Sequence, residues 1–206
     1  NCCPHIMVHK IRYSQKKILF ALFLSSFLML MQNLLHAQIT EFSPQFFFLK
    51  SQSFQKTGMI VLGIWAGLNL MSGISGYFIF KRDLKFFFQM NAGWNVINLG
   101  IAVFGFSSAL TMTPGIELTE MFNVLQRLDT ILLINGGLDF VYIAAGSWLL
   151  TRGFKKNNAR FIGYGRSVIL QGGFLLIFDL AFYLMHFPLT KAIYQLTEQL
   201  NITPAG

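Results

Sequence analysis

Two carboxylates and a set of amides are the side chains most able to do chemistry in this chain, and all lie inside long apolar runs. Asp139 and Asp179 are the acids of this kind. An ionised Asp at the centre of a membrane helix costs ~2.5–3.5 kcal/mol, whereas a typical interhelical hydrogen bond contributes only about 0.6 kcal/mol. The two acids are therefore candidates for a transport or proton-linked role. The alternative is that each is protonated or amide-bonded and only fixes helix register.

Amides accompany these acids at a similar depth. The stretch QMNAGWNVINLG, residues 89–100, carries Asn91, Asn95 and Asn98 on one face of a predicted helix, because their spacings are four and three. Amides and small residues on one face are typical of helix packing in lipid. We group the polar residues near the middle of the apolar runs as the midplane belt: Asn69, Asn91, Asn95, Asn98, Asn135, Asp139, Gln171 and Asp179. The belt is predicted to face inward, for packing or for transport.

Four apolar segments must position this belt. The chain has 206 residues, of which 54% are hydrophobic and 12% charged, whereas a soluble domain carries about 25% charged residues. Segments 58–80, 86–106, 130–150 and 164–187 are long enough to cross a bilayer. Their runs are continuous rather than alternating, which favours helices over a β-barrel. We therefore predict an all-α, polytopic membrane four-helix bundle.

Charged residues between the segments predict the orientation. The short connections KRDLK (81–85) and TRGFKKNNAR (151–160) are basic, whereas 107–129 carries more acids than bases. Because Lys and Arg mark cytoplasmic loops, we predict a bacterial inner-membrane protein whose mature termini, including a tail at 188–206, are periplasmic. This topology accounts for the net charge of +8, so no nucleic-acid partner is predicted.

The N-terminal part has the order of a secretory signal. Residues 1–6 are interpreted as upstream sequence or a cloning remnant, and 7–37 as a signal peptide with a basic, then an apolar, region. The alternative is an uncleaved anchor helix at 18–35, which would be a fifth span. Residues 38–57 are predicted to be a periplasmic or interfacial segment. Its aromatic cluster at 42–54 is either a helical lead-in that packs on the bundle or a docking surface for a partner.

The two halves of the predicted bundle match at an offset of seventy residues. The matches are 67–69 (Gly-Leu-Asn) with 137–139 (Gly-Leu-Asp), Gly76 with Gly146, and Arg82 with Arg152. This pattern predicts two duplicated hairpins related by an axis along the membrane normal. The alternative is chance matching between glycine-rich helices.

Catalytic and metal-binding patterns are scarce. After the predicted signal peptide the chain has a single histidine, His186, which we interpret as an interfacial residue. Glu117 and Glu120 are interpreted as solvated surface. The two cysteines, Cys2 and Cys3, are adjacent and precede the predicted signal peptide, so no disulfide or thiol site is predicted elsewhere. No HExxH or GxSxG motif occurs. We therefore predict no enzyme, no metal and no cofactor.

Two stretches carry a resemblance to a known family. QKTGMIVLGIWAGLN (55–69) and FFFQMNAGWNVINLGIA (86–102) resemble an uncharacterised family of small bacterial four-helix membrane proteins, a domain of unknown function. The resemblance covers most of 55–187. It implies a bacterial envelope protein with a signal peptide and four spans, and it supplies no reaction, ligand or catalytic residue.

These observations predict a non-enzymatic inner-membrane protein whose partners are the lipid bilayer and a homo- or hetero-oligomer formed through glycine-rich helix faces. The alternative is a small transporter or channel subunit with its site at the midplane belt. A more distant alternative is an intramembrane enzyme acting on lipid. A water-accessible cavity reaching Asp139 would favour transport, whereas a dry, fully hydrogen-bonded belt would favour packing.

Overall fold

The computed structural model describes residues 44–112 and 117–200, which form four helices without a strand. The helices are α1 (Pro44–Ile79), α2 (Arg82–Thr111), α3 (Leu118–Lys155) and α4 (Ala159–Gln199). Each is long and apolar enough to cross a membrane. The predicted all-α class with four spans is confirmed. The signal peptide predicted at 7–37 lies outside the described residues.

Tight turns join the helices into two hairpins. Phe80 and Lys81 connect α1 to α2, and residues 156–158 connect α3 to α4. Each hairpin has one residue in the left-handed region near its turn, Arg82 (φ 53°) and Asn157 (φ 48°). The Oδ1 atom of Asn158 caps α4 by accepting hydrogen bonds from the first backbone N–H groups of that helix.

The seventy-residue register predicted for a duplication is wrong at the turns. Arg82 is the first residue of α2, whereas its predicted counterpart Arg152 lies inside α3. Gly76 stands three residues before the end of α1, whereas Gly146 stands nine residues before the end of α3. Helix α3 therefore continues further beyond Gly146 before its turn than α1 continues beyond Gly76. The architecture of two consecutive hairpins is present, but these sequence matches do not occupy equivalent depths.

Small residues allow the helices within each hairpin to approach closely. A Cβ added to Gly165 would lie 2.6 Å from the backbone nitrogen of Leu150, and one added to Gly146 would lie 3.0 Å from the carbonyl oxygen of Gly165. In the first hairpin, a Cβ on Gly73 would lie 2.8 Å from the backbone nitrogen of Ala92. Backbone contact of this kind is how membrane helices gain van der Waals energy without a hydrophobic driving force.

The helices extend farthest beyond the predicted spans at the end of the bundle away from the two turns. We call this the cap end, and the opposite end, which carries the two turns, the basic end. At the cap end a buried apolar cluster joins α1, α3 and α4: Phe47, Phe48, Met121, Leu125, Leu189 and Ile193. The described part of the aromatic segment, from residue 44, is thus the first part of α1 and packs on the bundle. Much of the predicted outer loop at 107–129 is likewise helical.

Helix α4 continues through Pro188 to Gln199, so most of the segment predicted to be a tail at 188–206 is helical. A proline inside a helix removes one backbone hydrogen bond and disfavours the preceding turn. Here Leu189 and Ile193, which follow the proline, are buried in the apolar cluster of the cap end. Their burial offsets the cost of the proline and keeps the segment helical.

The Gly165 contact gives a testable expectation for stability. We expect Gly165→Ala to lower the free energy of unfolding by about 1–3 kcal/mol, because an added methyl group would meet backbone atoms that cannot rotate away. Gly173→Ala on the same helix is the matched control, since a Cβ there would meet nothing within 4 Å. Unfolding in mixed detergent micelles measures both. Equal stability of the two variants would contradict the close packing of α3 on α4.

Candidate functional site

Five residues of the midplane belt form one hydrogen-bonded amide network. At its centre Gln171 on α4 accepts a hydrogen bond from Trp65 Nε1 at 3.0 Å and donates through Nε2 to Asn91 Oδ1. Asn91 Nδ2 in turn donates to Asn69 Oδ1 at 3.0 Å. These bonds connect α1, α2 and α4 across the bundle.

The network continues along α2 towards the cap end. Asn95 donates to the carbonyl oxygen of Asn91 at 2.7 Å, and Asn98 donates to Asn95 Oδ1 at 3.4 Å. Asn91, Asn95, Asn98 and Gln171 are all buried, and Asn69 is half-buried. Because lipid offers no hydrogen-bond partners, these amides satisfy one another. They are the part of the belt that serves helix packing.

The other three belt residues, Asn135, Asp139 and Asp179, lie around a cavity of about 530 Å³. All four helices contribute to its wall, through residues within 54–62, 94–101, 128–142 and 175–182. Most lining side chains are apolar, among them Leu62, Phe178 and Phe182. Asn98 also lines the cavity, so one residue joins the cavity to the amide network. The belt is therefore divided into a packed part and an open part.

The two acids are the most unusual groups in this cavity. Asp139 is only 2% exposed, and its Oδ2 atom has no hydrogen-bond partner. Its carboxyl group lies within hydrogen-bonding reach of that of Asp179. Two ionised carboxylates can only accept hydrogen bonds, so the pair needs either a shared proton or a donor from elsewhere. No Lys or Arg is among the described residues of the wall, and Arg166 pairs instead with Asp83, at 2.5 Å.

Aromatic side chains contribute to the wall in a way that residue spacing did not reveal. The rings of Trp94 on α2 and Tyr142 on α3 meet edge to face, with centroids 4.9 Å apart. Both residues line the cavity, on the side nearer the basic end. On the opposite side the wall includes Phe54 and Phe182, whose ring centroids are 4.7 Å apart. The cavity is thus bounded by aromatic pairs along the bundle axis.

A second polar pair, formed by His186 and Asp129, lies towards the cap end. His186, whose interfacial depth stays a prediction, is fully buried within the bundle, with Nδ1 at 2.6 Å from Asp129 Oδ1. Its Nε2 atom has no hydrogen-bond partner. Asp129 also lines a shallower groove of about 380 Å³. One feature of the sequence could have suggested this pair. Asp129 and His186, the only histidine after residue 37, are both predicted to lie on the periplasmic side of the membrane.

Within residues 44–112 and 117–200, no group of three or more His, Cys, Asp or Glu side chains is arranged to hold a metal ion.

The fold and the cavity together define a class of protein: an all-helical bundle of four helices that are long and apolar enough to span a membrane, with a polar belt inside it. The chain belongs to the Family of unknown function (DUF6992), whose model matches residues 61–180. That range covers the amide network and both cavity acids, and it stops before His186. No curated protein and no solved structure matches the chain.

The division of the belt predicts unequal effects of apolar substitution. We expect Gln171→Leu to destabilise the bundle by about 1–3 kcal/mol, because it removes the bonding partners of two other polar side chains in a buried environment. Asn135→Leu is the control, since Asn135 is exposed and lines the cavity, and we expect it to leave stability nearly unchanged. Thermal unfolding in detergent measures both variants. A larger loss for Asn135→Leu would contradict this assignment.

Proposed function

We propose that this protein is a non-enzymatic component of a membrane that binds a small amphipathic molecule in the cavity at Asp139 and Asp179. The observation that carries the proposal is Asp139 Oδ2, a buried carboxylate oxygen without a partner in the wall of a largely apolar cavity. A buried polar atom without a hydrogen bond is costly. A bound molecule that donates a hydrogen bond at this point would remove that cost.

The chemistry of the wall specifies the molecule in general terms. A volume of about 530 Å³ falls within the range of ~300–1,000 Å³ typical of small-molecule sites. The apolar lining suits a hydrocarbon body, whereas two carboxyl groups suit a cationic or hydrogen-bond-donating head. A lipophilic amine has both features. An anionic molecule of the same length would meet like charge at the acids and is disfavoured.

Helix packing accounts for the amide network, and a proton shared between Asp139 and Asp179 would account for the acid pair, but neither accounts for the open volume beside the acids. The network amides are mutually bonded, as expected of residues that hold helices together, whereas Asp139 keeps an orphan oxygen beside empty volume. Transport through the cavity, the alternative raised by the sequence, would require access to water on both sides. The wall is confined to the middle of the helices, and this favours binding over transport.

We also propose a compartment and an oligomeric role. Lys81, Arg82, Lys155 and Lys156 at the basic end support an orientation with that end in the cytoplasm of a bacterium and both mature termini in the periplasm. This orientation agrees with a cleaved signal peptide. Glycines at lipid-facing positions support association with a second copy or another membrane protein, since a Cβ would meet nothing within 4 Å at Gly93, Gly100, Gly136 and Gly137.

Binding is tested with dodecylamine as the probe. We expect the full chain in lipid nanodiscs to retain dodecylamine in native mass spectrometry. Asp139→Asn should weaken that binding about ten- to a hundredfold, because a hydrogen bond to a charged group contributes ~1.5–3 kcal/mol. Asp83→Asn, which removes an acid at the basic end, is the matched control and should bind as the wild type does. Dodecanoic acid should bind more weakly than the amine.

The proposal fails if Asp139→Asn unfolds at the wild-type temperature and still binds dodecylamine with wild-type affinity. It also fails if dodecanoic acid binds as well as the amine, because the acids would then not recognise the head group. A wild-type sample extracted gently from its own membrane adds an independent check. A retained small molecule that is absent from Asp139→Asn would support the proposal and give the mass of the ligand.

The orientation is tested separately by cysteine labelling. In a background with Cys2→Ser and Cys3→Ser, Lys155→Cys and Glu120→Cys introduce single thiols at exposed positions of opposite ends. A membrane-impermeant maleimide added to spheroplasts should label Glu120→Cys at once and Lys155→Cys only after lysis. Labelling of Lys155→Cys in intact spheroplasts would contradict the proposed orientation. It would not bear on the proposed binding site.

A further inference from the structure

The wall of the cavity is exposed on one side only. The lining residues of α1 and α4 are all buried or half-buried. By contrast, Ile97 on α2 is 63% exposed and Leu138 on α3 is 44% exposed, and both line the cavity. Ile101 and Ile131 repeat this arrangement on the same two helices. The exposed part of the wall therefore runs between α2 and α3.

The separation of these two helices explains the exposure. Among the described residues, no Cα atom of α2 lies within 8 Å of a Cα atom of α3, although both helices line the cavity. Close-packed helices have axes only ~8–10 Å apart, with many shorter Cα distances between them. The edge-to-face contact of Trp94 with Tyr142 bridges the gap at one level. Beyond it, towards the cap end, the gap is bordered mainly by aliphatic side chains, with the exposed amide of Asn135 among them on α3.

The two ends of the bundle are filled by side chains. Towards the basic end, α2 and α4 pack against each other, with Gln171 bonded to Asn91 and Arg166 paired with Asp83. Towards the cap end, the apolar cluster around Phe47 and Ile193 closes the bundle, together with the buried ring of His186. The aliphatic gap between α2 and α3 is the exposed side, and it faces where lipid would be.

We infer that the gap bordered by Ile97, Ile101, Ile131 and Leu138 is a lateral portal, through which the cavity takes up a lipophilic amine directly from the hydrocarbon phase of the membrane. This inference rests on the proposed function, since it specifies the route and the source of the ligand for the same site. A largely aliphatic border, to which Asn135 is the polar exception, lets a hydrocarbon chain pass between two apolar environments, the lipid and the cavity. The head group then reaches Asp139 at mid-depth without crossing an aqueous phase.

The portal is tested by making its border bulkier. Ile97→Trp combined with Leu138→Trp enlarges two exposed side chains that line the cavity. Val96→Trp combined with Ile134→Trp is the matched control, because both positions are exposed, lie on the same helices, and are outside the cavity wall. Each protein, as the full chain in lipid vesicles, is loaded with dodecylamine and then exposed to an excess of deuterated dodecylamine in the same bilayer. Native mass spectrometry follows the exchange with time.

We expect the portal variant to exchange the amine at least tenfold more slowly than the wild type, and the control variant to exchange at the wild-type rate. Wild-type exchange by the portal variant, with binding still lost in Asp139→Asn, would overturn the lateral route and leave the proposed function standing. If the wild type and Asp139→Asn bind no more amine than an empty vesicle background, both the portal and the proposed function are overturned.

Discussion

The absence of hydrogen-bond partners in the lipid phase is the constraint on which this structure depends. The backbone groups of a membrane span bond within their own helix, and a polar side chain at that depth must find a partner inside the bundle. Five amides do so by bonding to each other and to Trp65. Asp139 does not, since one of its oxygens is left without a partner. Within the midplane belt, this difference separates the amides that hold the helices together from the acid that faces open volume, whereas the other buried atoms without a partner, on Ser167, His186 and Thr190, lie outside the belt.

The packed part and the open part depend on each other. The amide network fixes α1, α2 and α4 at the level of Gln171, and the close backbone contact of Gly146 with Gly165 fixes α3 on α4. With these contacts in place, α2 and α3 are held apart and a cavity remains between them. Asn98 belongs to both parts, because it bonds to Asn95 and also lines the cavity. The arrangement of the amides therefore determines the width of the site.

Features that depend on one helix alone could be predicted from the sequence. The length of the apolar runs predicted four spans, and the spacing of Asn91, Asn95 and Asn98 predicted a shared helical face. The cavity could not be predicted from the sequence, because it arises from the distance between α2 and α3. The residues of neither helix alone specify that distance. The pairing of His186 with Asp129 was missed for the same reason, since the partners are on different helices and α3 begins earlier than predicted. The continuation of α4 beyond residue 187 was missed too, because it depends on the burial of Leu189 and Ile193 against α1 and α3.

If the proposed ligand binds in the cavity, the orphan oxygen of Asp139 would link the folding of this protein to that ligand. A molecule that binds the folded state alone stabilises that state in proportion to the logarithm of its concentration, and here it would also satisfy a group that the empty bundle leaves without a partner. Membrane proteases remove chains in proportion to the time that they spend partly unfolded. The amount of this protein in its membrane would then follow the supply of its ligand. The same carboxylate that defines the site would set the lifetime of the chain.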